Sequence, residues 1–315
     1  MSMSTKEVSV LSVNISEKKG VIKKPVDSIE LHSLGVVNDA HSGNWHRQVS
    51  LLAKESIDKF SVQAKRNINF GEFAENITTE GLLLHLTAPL DRFHIGDMIL
   101  EVTQIGKKCH GDNCSIFREI GNCVMPKEGI FCRVLNGGNL KAGDVLCYHP
   151  RVIKTMVITL SDRASRGEYA DKSGPLLEKL AEEFFKSKNR HYQIEKFIIP
   201  DQEFDLTNLL EKAKEEDFDL VFTTGGTGIG PKDITPDVVK KHITKEITGI
   251  MELIRVKYGM EKPNALVSRG IAGVMNKTLI YTMPGSPKAV NEYCSEIFKT
   301  IEHSLYMMNE LDIHG

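Results

Sequence analysis

The segment Asp219-Leu220-Val221-Phe222-Thr223-Thr224-Gly225-Gly226-Thr227-Gly228 is the clearest indication of architecture in the second half of this 315-residue chain. A short apolar run that leads into a glycine-rich turn is typical of a buried strand in a parallel sheet. Three other apolar runs end in polar loops: Ile153–Leu160, Ile194–Ile199 and Thr278–Met283. Helical patterns follow the strands at Leu176–Phe185, Asp205–Glu215, Pro236–Ile243, Gly249–Tyr258 and Pro287–Met308. The sequence therefore predicts a three-layer α/β domain with a mostly parallel sheet.

The loops that follow these four strands form the predicted site. They are Ser161–Gly167, Pro200–Gln202, Gly225–Gly228 and Pro284–Pro287. The carboxyl ends of parallel strands meet at one edge of a sheet, where open α/β folds bind their ligands. We therefore expect all four loops to contribute to one site.

The glycine loop is suited to a phosphate. Its backbone N–H groups have no Cβ in the way, so a phosphate can approach the main chain. The loop lacks the Lys-Ser/Thr ending of a Walker A motif, which disfavours a P-loop NTPase. A tight strand-to-helix turn is the structural alternative. Ser286 before Pro287 predicts a helix N-cap that could also face an anion, although many such caps bind only water.

Asp201 and Asp233 are the acidic candidates. Two carboxylates beside a phosphate cradle are suited to a magnesium–nucleotide complex, because Mg²⁺ prefers oxygen ligands and keeps several waters. Alternatively, Asp201 starts a turn after Pro200 and Asp233 belongs to the solvated surface. Arg163 could clamp a phosphate, although a solvated loop arginine is the commoner case.

These motifs together resemble the MoaB/Mog family, which handles molybdopterin during molybdenum cofactor synthesis. The resemblance is carried by Leu160–Ser165, Thr223–Gly228, Asp233–Asp237, Leu266–Arg269 and Met283–Pro287. It implies a homotrimeric, Mg-ATP-dependent molybdopterin adenylyltransferase that releases diphosphate. Asp201 and Asp233 match the family's functional aspartates and would hold Mg²⁺.

The resemblance also suggests the two ligand-binding groups. The residues predicted to bind phosphate or nucleotide are Thr224, Gly225, Gly226, Thr227 and Gly228. The residues predicted to shape the molybdopterin pocket are Ser161, Asp162, Arg163, Ser268, Pro284, Gly285 and Ser286.

The first half has a different rhythm. Short β-branched or alternating runs separated by glycine predict a mostly-β, barrel-like fold. They include Val8–Ile15, Met98–Gln104, Gly129–Leu135 and Asp144–Tyr148. An apolar face over Gln48–Phe60 predicts one helix. The pattern changes from short strands to alternating strands and helices near residue 150, so we predict domains at 1–149 and 150–315.

Motifs of the first half resemble the MOSC domain of molybdenum cofactor sulfurases. They include Asn38–His41, Arg47–Leu51 and Gly71–Thr78. The resemblance implies that this domain binds the molybdenum cofactor or carries sulfur on Cys109, with a sulfur donor or another cofactor-biosynthesis protein as partner. Neighbouring Lys107, Lys108 and His110 could lower the pKa of the Cys109 thiol, but a buried structural cysteine is equally compatible. Asn38 where many relatives have glycine, and Lys108 where they have proline, put sulfur transfer in question.

Composition excludes several other classes. A formal net charge of −2 gives no global field for nucleic acid. Neither a signal peptide nor a membrane-length apolar run is evident, so a cytoplasmic protein without membrane or nucleic-acid partners is expected. The leading hypothesis is an enzyme that adenylylates molybdopterin. The alternative is a non-catalytic carrier of molybdopterin or the cofactor.

Overall fold

The computed structural model describes residues 5–108 and 123–312. The chain divides into two compact units. The first unit contains the described residues up to Arg151 together with Leu311 and Asp312, whereas the second spans Val152–Glu310.

The first unit is built mainly from short strands. They are β1 Lys6–Ile15, β2 Lys24–Val26, β3 Ser28–His32, β4 Gly35–Val36, β5 Val49–Ala53, β6 Ile77–Glu80, β7 Arg92–Ile95, β8 Met98–Ile105, β9 Ile130–Asn136, β10 Gly138–Lys141 and β11 Val145–His149. The helices described in this unit are α1 Lys54–Ala64, α2 Met125–Glu128 and a 3₁₀ turn at Leu84–Leu86.

Seven of these strands close into a barrel in the order β1-β6-β5-β9-β8-β7-β11, with β11 pairing back to β1. The long strand β1 closes it, because Lys6–Ser9 pairs with β11 and Ser9–Val13 with β6. Alternate side chains fill the interior, including Val8, Val10 and Leu100. The predicted barrel-like fold is confirmed.

The predicted helix over Gln48–Phe60 is wrong in its first half. Val49–Ala53 forms strand β5, and the helix begins only at Lys54. All five residues of β5 are buried, and the strand pairs with β6 on one side and β9 on the other. Periodicity alone does not distinguish such a short buried run from one face of a helix.

The second unit alternates strands with helices. The strands are β12 Val152–Leu160, β13 His191–Ile199, β14 Leu220–Thr224, β15 Lys245–Glu246, β16 Ala272–Met275 and β17 Thr278–Met283. The helices are α3 Asp162–Ser165, α4 Ser173–Ser187, α5 Glu203–Glu215, α6 Thr235–His242, α7 Thr248–Gly259 and α8 Pro287–Met308, with a 3₁₀ segment at Pro263–Val267.

The six-stranded sheet has the order β13-β12-β14-β17-β16-β15. Its first four strands are parallel, as expected, but β16 pairs antiparallel with both of its neighbours, β17 and β15, so the sheet is mixed. The reversal comes from a tight turn at Asn276-Lys277, where Asn276 adopts a φ of 55°. This hairpin was missed because Asn-Lys is a weaker turn signal than Asn-Gly.

Successive side chains of β14 point to opposite faces of the sheet. Leu220 and Phe222 join a core with α4, α7 and α8, whereas Val221 joins a second core with α5 and α6. Among the described residues, no helix is long and apolar enough to cross a membrane.

Candidate functional site

The four predicted loops lie at the carboxyl edge of the sheet and are joined by hydrogen bonds. The Thr224 hydroxyl donates to the Pro284 carbonyl at 3.1 Å. The Ser161 N–H donates to the Ile199 carbonyl at 2.9 Å, which joins the loops after β12 and β13. Thr224 is fully buried, so its side chain holds two loops together rather than facing a ligand.

The glycines of the loop are required by its backbone. Gly225 has a φ of 103°, and a Cβ there would lie 2.3 Å from the Leu160 carbonyl oxygen. Gly226 has a φ of 61°, and its Cβ would lie 2.6 Å from Thr235 Oγ1. These contacts support the tight-turn interpretation, because only glycine fits both positions without strain.

The same loop presents backbone donors. Within the described parts of the chain, no hydrogen bond uses the N–H groups of Gly226, Thr227 or Gly228. Three consecutive amides without a protein acceptor can bind an oxyanion. The turn and the phosphate cradle are therefore compatible functions of one loop.

Asp201 and Asp162 cap each other across two loops. The Asp162 N–H donates to Asp201 Oδ2 at 3.0 Å, and the Asp201 N–H donates to Asp162 Oδ1 at 3.2 Å. Asp162 also forms an ion pair with Lys232. The Lys232 ammonium, followed by the Asp201 N–H, lowers the pKa of Asp162. Asp201 Oδ1 lies close to the glycine loop, 3.6 Å from a Cβ built on Gly226.

Asp233 flanks the glycine loop from the following segment. Its Oδ2 accepts the Gly230 N–H at 2.8 Å and lies 2.7 Å from a Cβ built on Gly228. The other carboxylate oxygen of Asp233, like Oδ1 of Asp201, has no hydrogen-bond donor among the described residues. Both carboxylates therefore retain an oxygen for a cation beside the loop.

This donor set fits Mg²⁺ better than a metal held by protein alone. In the described chain, no group of three or more His, Cys, Asp or Glu side chains is placed to hold a metal ion. Mg²⁺ is commonly bound by one or two carboxylates, with waters and substrate phosphates completing its shell.

Arg269 supports the loop from behind, a role that the sequence motifs did not reveal. Its Nε donates to the Gly228 carbonyl at 2.7 Å, and Nη1 pairs with both Asp237 oxygens at 2.9 Å. A further bond reaches the Asp233 carbonyl. Arg269 thus fixes the glycine loop against the start of α6. The motif Leu266–Arg269 includes this arginine, but nothing in the motif indicates such a role.

A cavity of about 420 Å³ opens beside the glycine loop. Among the predicted site residues, Thr227, Gly228, Ser268, Pro284 and Ser286 line it. Its other lining residues are Ile229, Ile254, Tyr258, Lys262, Asn264, Ala265, Val267, Lys288, Ala289, Glu292 and Tyr293. This volume falls within the usual range for a small-molecule pocket.

Two serines at this cavity also have structural roles. Tyr293 donates its hydroxyl hydrogen to Ser268 Oγ at 2.9 Å. Ser286 caps α8 by accepting the Ala289 N–H at 3.2 Å, as predicted for the Ser-Pro pair. Gly285 packs against the glycine loop, because its added Cβ would lie 3.3 Å from Gly225 Cα.

The loop Ser161–Arg163 lies apart from the cavity lining. Ser161 caps the short helix α3, and the Arg163 guanidinium lies 5.6 Å from the ring centre of Tyr169. The predicted pterin residues thus form two groups, one at the cavity and one beside Asp201.

Known families match both halves of the chain. A family model described as "Probable molybdopterin binding domain" matches residues 156–303, and the MOSC domain matches residues 38–146. A molybdopterin adenylyltransferase of Helicobacter pylori is 36% identical over 148 residues, which cover 47% of this chain and 82% of that protein. The molybdenum cofactor biosynthesis protein B of Staphylococcus aureus is 38% identical over 152 residues, covering 47% of this chain and 87% of that protein. The chain belongs to the MoaB/Mog family.

A solved structure of a Mog protein from Mycobacterium ulcerans is 31% identical to this chain, with a TM-score of 0.44. The match covers 49% of this chain and 98% of that one. The MoaB/Mog domain of this protein is preceded by the MOSC domain, so the two resemblances seen in the sequence are confirmed.

In the MOSC domain, the Asn38–His41 motif builds a buried ion pair. Lys23 Nζ lies 2.7 Å from both oxygens of Asp39, and both side chains are almost fully buried. Burial lowers the pKa of Lys23. Burial alone would raise the pKa of Asp39, but hydrogen bonds from His41 and Lys23 hold it well below its usual range.

Two cations of the MOSC domain face the same aromatic ring. The Arg47 guanidinium lies 4.7 Å from the Trp45 ring centre and 6.0 Å from that of Phe131. Lys107 Nζ lies 5.9 Å from the Phe131 ring centre. His46 is buried, and its Nε2 is hydrogen-bonded to Gln104 Oε1 at 2.9 Å. The predicted sulfur carrier Cys109 lies outside the described residues.

Proposed function

We propose that this protein acts in molybdenum cofactor biosynthesis and that its MoaB/Mog domain transfers adenylate from Mg-ATP to molybdopterin. The observation that carries the proposal is the glycine loop flanked by Asp201 and Asp233, in which three consecutive N–H groups have no acceptor among the described residues. Similarity to a named molybdopterin adenylyltransferase over most of that protein's length supports it.

The proposed reaction joins two phosphate-bearing substrates. An oxygen of the molybdopterin phosphate bonds to the α-phosphorus of ATP, and the bond from that phosphorus to the departing oxygen breaks. Diphosphate leaves with the electron pair, so no oxidant or reductant is needed.

Catalysis of such a transfer consists mainly of positioning and charge neutralisation. Mg²⁺, when bound, would neutralise phosphate charge. Asp201 and Asp233 would hold it through their free oxygens, while the N–H groups of Gly226–Gly228 orient phosphate oxygens.

The direct test supplies the full-length chain with molybdopterin and Mg-ATP and measures diphosphate and adenylylated pterin. We expect Asp233→Asn to lower turnover by about 10²-fold or more, because a metal ligand is neutralised. The fold should persist, since asparagine keeps an oxygen that can accept the Gly230 N–H. Asp201→Asn should behave similarly.

The matched control is Glu215→Gln. This exposed carboxylate is the last residue of α5, at the end of the helix opposite the site loop that precedes α5. It should leave turnover unchanged. Near-normal turnover in Asp233→Asn would remove Asp233 from the mechanism. Binding of molybdopterin by the wild type without either product would favour the non-catalytic carrier.

We also propose that the MOSC domain binds the molybdenum cofactor or carries sulfur on Cys109. Arg47 and Lys107 beside one aromatic ring support an anionic ligand. The sulfur hypothesis requires a donor protein that passes sulfane sulfur from its own persulfide to the Cys109 thiol and is released as a thiol. It predicts a persulfide on Cys109, detectable by mass spectrometry after incubation with a cysteine desulfurase and L-cysteine. The half-buried free thiol of Cys147 serves as the internal control. Persulfide on Cys147 but not on Cys109 would reject Cys109 as the carrier.

A further inference from the structure

Two lysines of the MoaB/Mog domain line the cavity beside the glycine loop, and no sequence motif pointed to either. Lys262 follows α7 and Lys288 lies in the first turn of α8. The cavity wall near them includes the aromatic side chains of Tyr258 and Tyr293. A flat ring with an anionic substituent would match this combination of aromatic and cationic walls.

Among the residues that line the cavity, the two lysines are accompanied by one carboxylate, that of Glu292, whereas the Glu261 carboxylate acts on both lysines from outside the lining. Lys262 Nζ lies 3.0 Å from Glu292 Oε1, and Glu292 also lines the cavity. Within the described residues, Lys288 has no carboxylate in ion-pair range. Both lysines line the same cavity, and the neighbouring Lys262 side chain lowers the pKa of Lys288. A cation in the first turn of a helix also opposes the helix dipole, and a bound anion would relieve both repulsions.

The other side of the glycine loop carries negatively charged side chains instead of lysines. Asp162, Asp201 and Asp233 gather there, with Lys232 pairing to Asp162. None of these three carboxylates lines the cavity. A polyphosphate that brings Mg²⁺ can approach carboxylates, whereas a metal-free phosphate would be repelled by them.

We propose that Lys262 and Lys288 bind the phosphate monoester of the pterin substrate, and that the carboxylate flank is left to the magnesium–nucleotide. This inference rests on the proposed adenylyl transfer and assigns its two substrates to different sides of the loop. The lysines hold the attacking phosphate and offset its repulsion from the nucleotide. They act as binding and positioning groups.

The test compares two fluorescent probes on the full-length chain: a pterin with a phosphate monoester and the same pterin without its phosphate. Lys288→Gln should weaken binding of the phosphorylated probe about tenfold, the scale of one charge-assisted hydrogen bond. The double variant with Lys262→Gln should weaken it further. Binding of the dephosphorylated probe and of Mg-ATP should not change.

Two further variants sharpen the result. Glu292→Gln removes the negative charge beside Lys262 and should tighten binding of the phosphorylated probe. Lys277→Gln is the matched control, because this exposed lysine precedes β17, at the edge of the sheet opposite the loop. It should change no affinity. Thermal midpoints of all variants report whether the fold is intact.

Each outcome bears on a separate claim. Equal affinity of the two probes for the wild type, or unchanged affinity in the double variant, would overturn the lysine assignment. A loss of Mg-ATP affinity instead would give the lysines to the nucleotide and also overturn it. If the phosphorylated pterin binds through the lysines but molybdopterin and Mg-ATP yield no diphosphate, adenylyl transfer fails while the lysine assignment stands.

Discussion

Asn38 adopts a φ of 62°, in the left-handed region, directly before the buried Asp39. This left-handed geometry explains why asparagine fits a position where the MOSC resemblance implies glycine in many relatives. Asparagine is among the residues that enter this region most readily after glycine. The turn then directs Asp39 onto Lys23, so the substitution keeps the backbone that the ion pair requires.

Two substitutions of Asn38 distinguish the effect of its backbone conformation on stability from the effect of its side chain. Asn38→Ala should destabilise the MOSC domain by about 1 kcal/mol, because a left-handed alanine is strained. Asn38→Gly should change stability by no more than about 0.5 kcal/mol, since glycine adopts this φ freely. Thermal unfolding of the full-length variants measures both. Equal destabilisation by alanine and glycine would show that the asparagine side chain, not φ, matters here.

Some site residues could be predicted from the sequence, and others could not. Asp201 and Asp233 were predicted because they follow strands or lie beside a glycine loop, and the structure places both against that loop. Arg269, Lys262 and Lys288 gave no such signal. Their positions depend on how α7, the 3₁₀ segment and α8 pack, and isolated cations in sequence are usually solvated surface residues.

Long secondary-structure elements with clear start and stop signals in the sequence were predictable. Helix α8 begins at Pro287 after the Ser286 cap and ends at Met308, the predicted bounds. Strand β5 and the hairpin β16–β17 were missed because neighbouring strands decide them: β5 is buried between β6 and β9, and β16 exists only through its pairing with β17.

Helices α7 and α8 are joined by a buried carboxylate that predicts a pH dependence. Glu296 on α8 is 6% exposed and lies 2.6 Å from Lys257 Nζ and 2.7 Å from Lys299 Nζ. The ammonium of Lys257, followed by that of Lys299, lowers the pKa of Glu296 to about 2. Because the folded pKa lies below the unfolded value, the stabilisation is complete above roughly pH 4.3 and is lost as the pH falls toward 2.

Glu296→Gln should therefore cost about 1 kcal/mol at pH 7, the scale of a charged hydrogen bond. The difference in stability between this variant and the wild type should shrink as the pH falls from about 4 to about 3, because this range lies just below the ordinary glutamate pKa of about 4.3. Thermal unfolding of both proteins across this range measures it, with exposed Glu215→Gln as the control that shows no pH-dependent difference. A difference that stays constant down to pH 3 would contradict the role of the charge.

In the molecule as a whole, the MoaB/Mog domain carries an exposed apolar stripe on helix α7. Leu253, Val256 and Met260 recur at helical spacing along α7 and just beyond its end, and are 53%, 58% and 84% exposed. Leu266 extends the stripe, because it packs against Gly259 at the end of that helix and is itself 55% exposed. Such a stripe is typical of a surface that is buried on association.

We predict that this face of α7 forms the contact between copies in the homotrimer that the family resemblance implies. The double variant Leu253→Glu, Val256→Glu should shift the sedimentation of the full-length chain from trimer to monomer, because two carboxylates would be buried without partners. Val62→Glu on α1 of the MOSC domain, where Val62 is 79% exposed, is the matched control and should leave the trimer intact. A wild type that sediments as a monomer at micromolar concentration would refute the trimer. A double variant that remains trimeric would place the interface on another face.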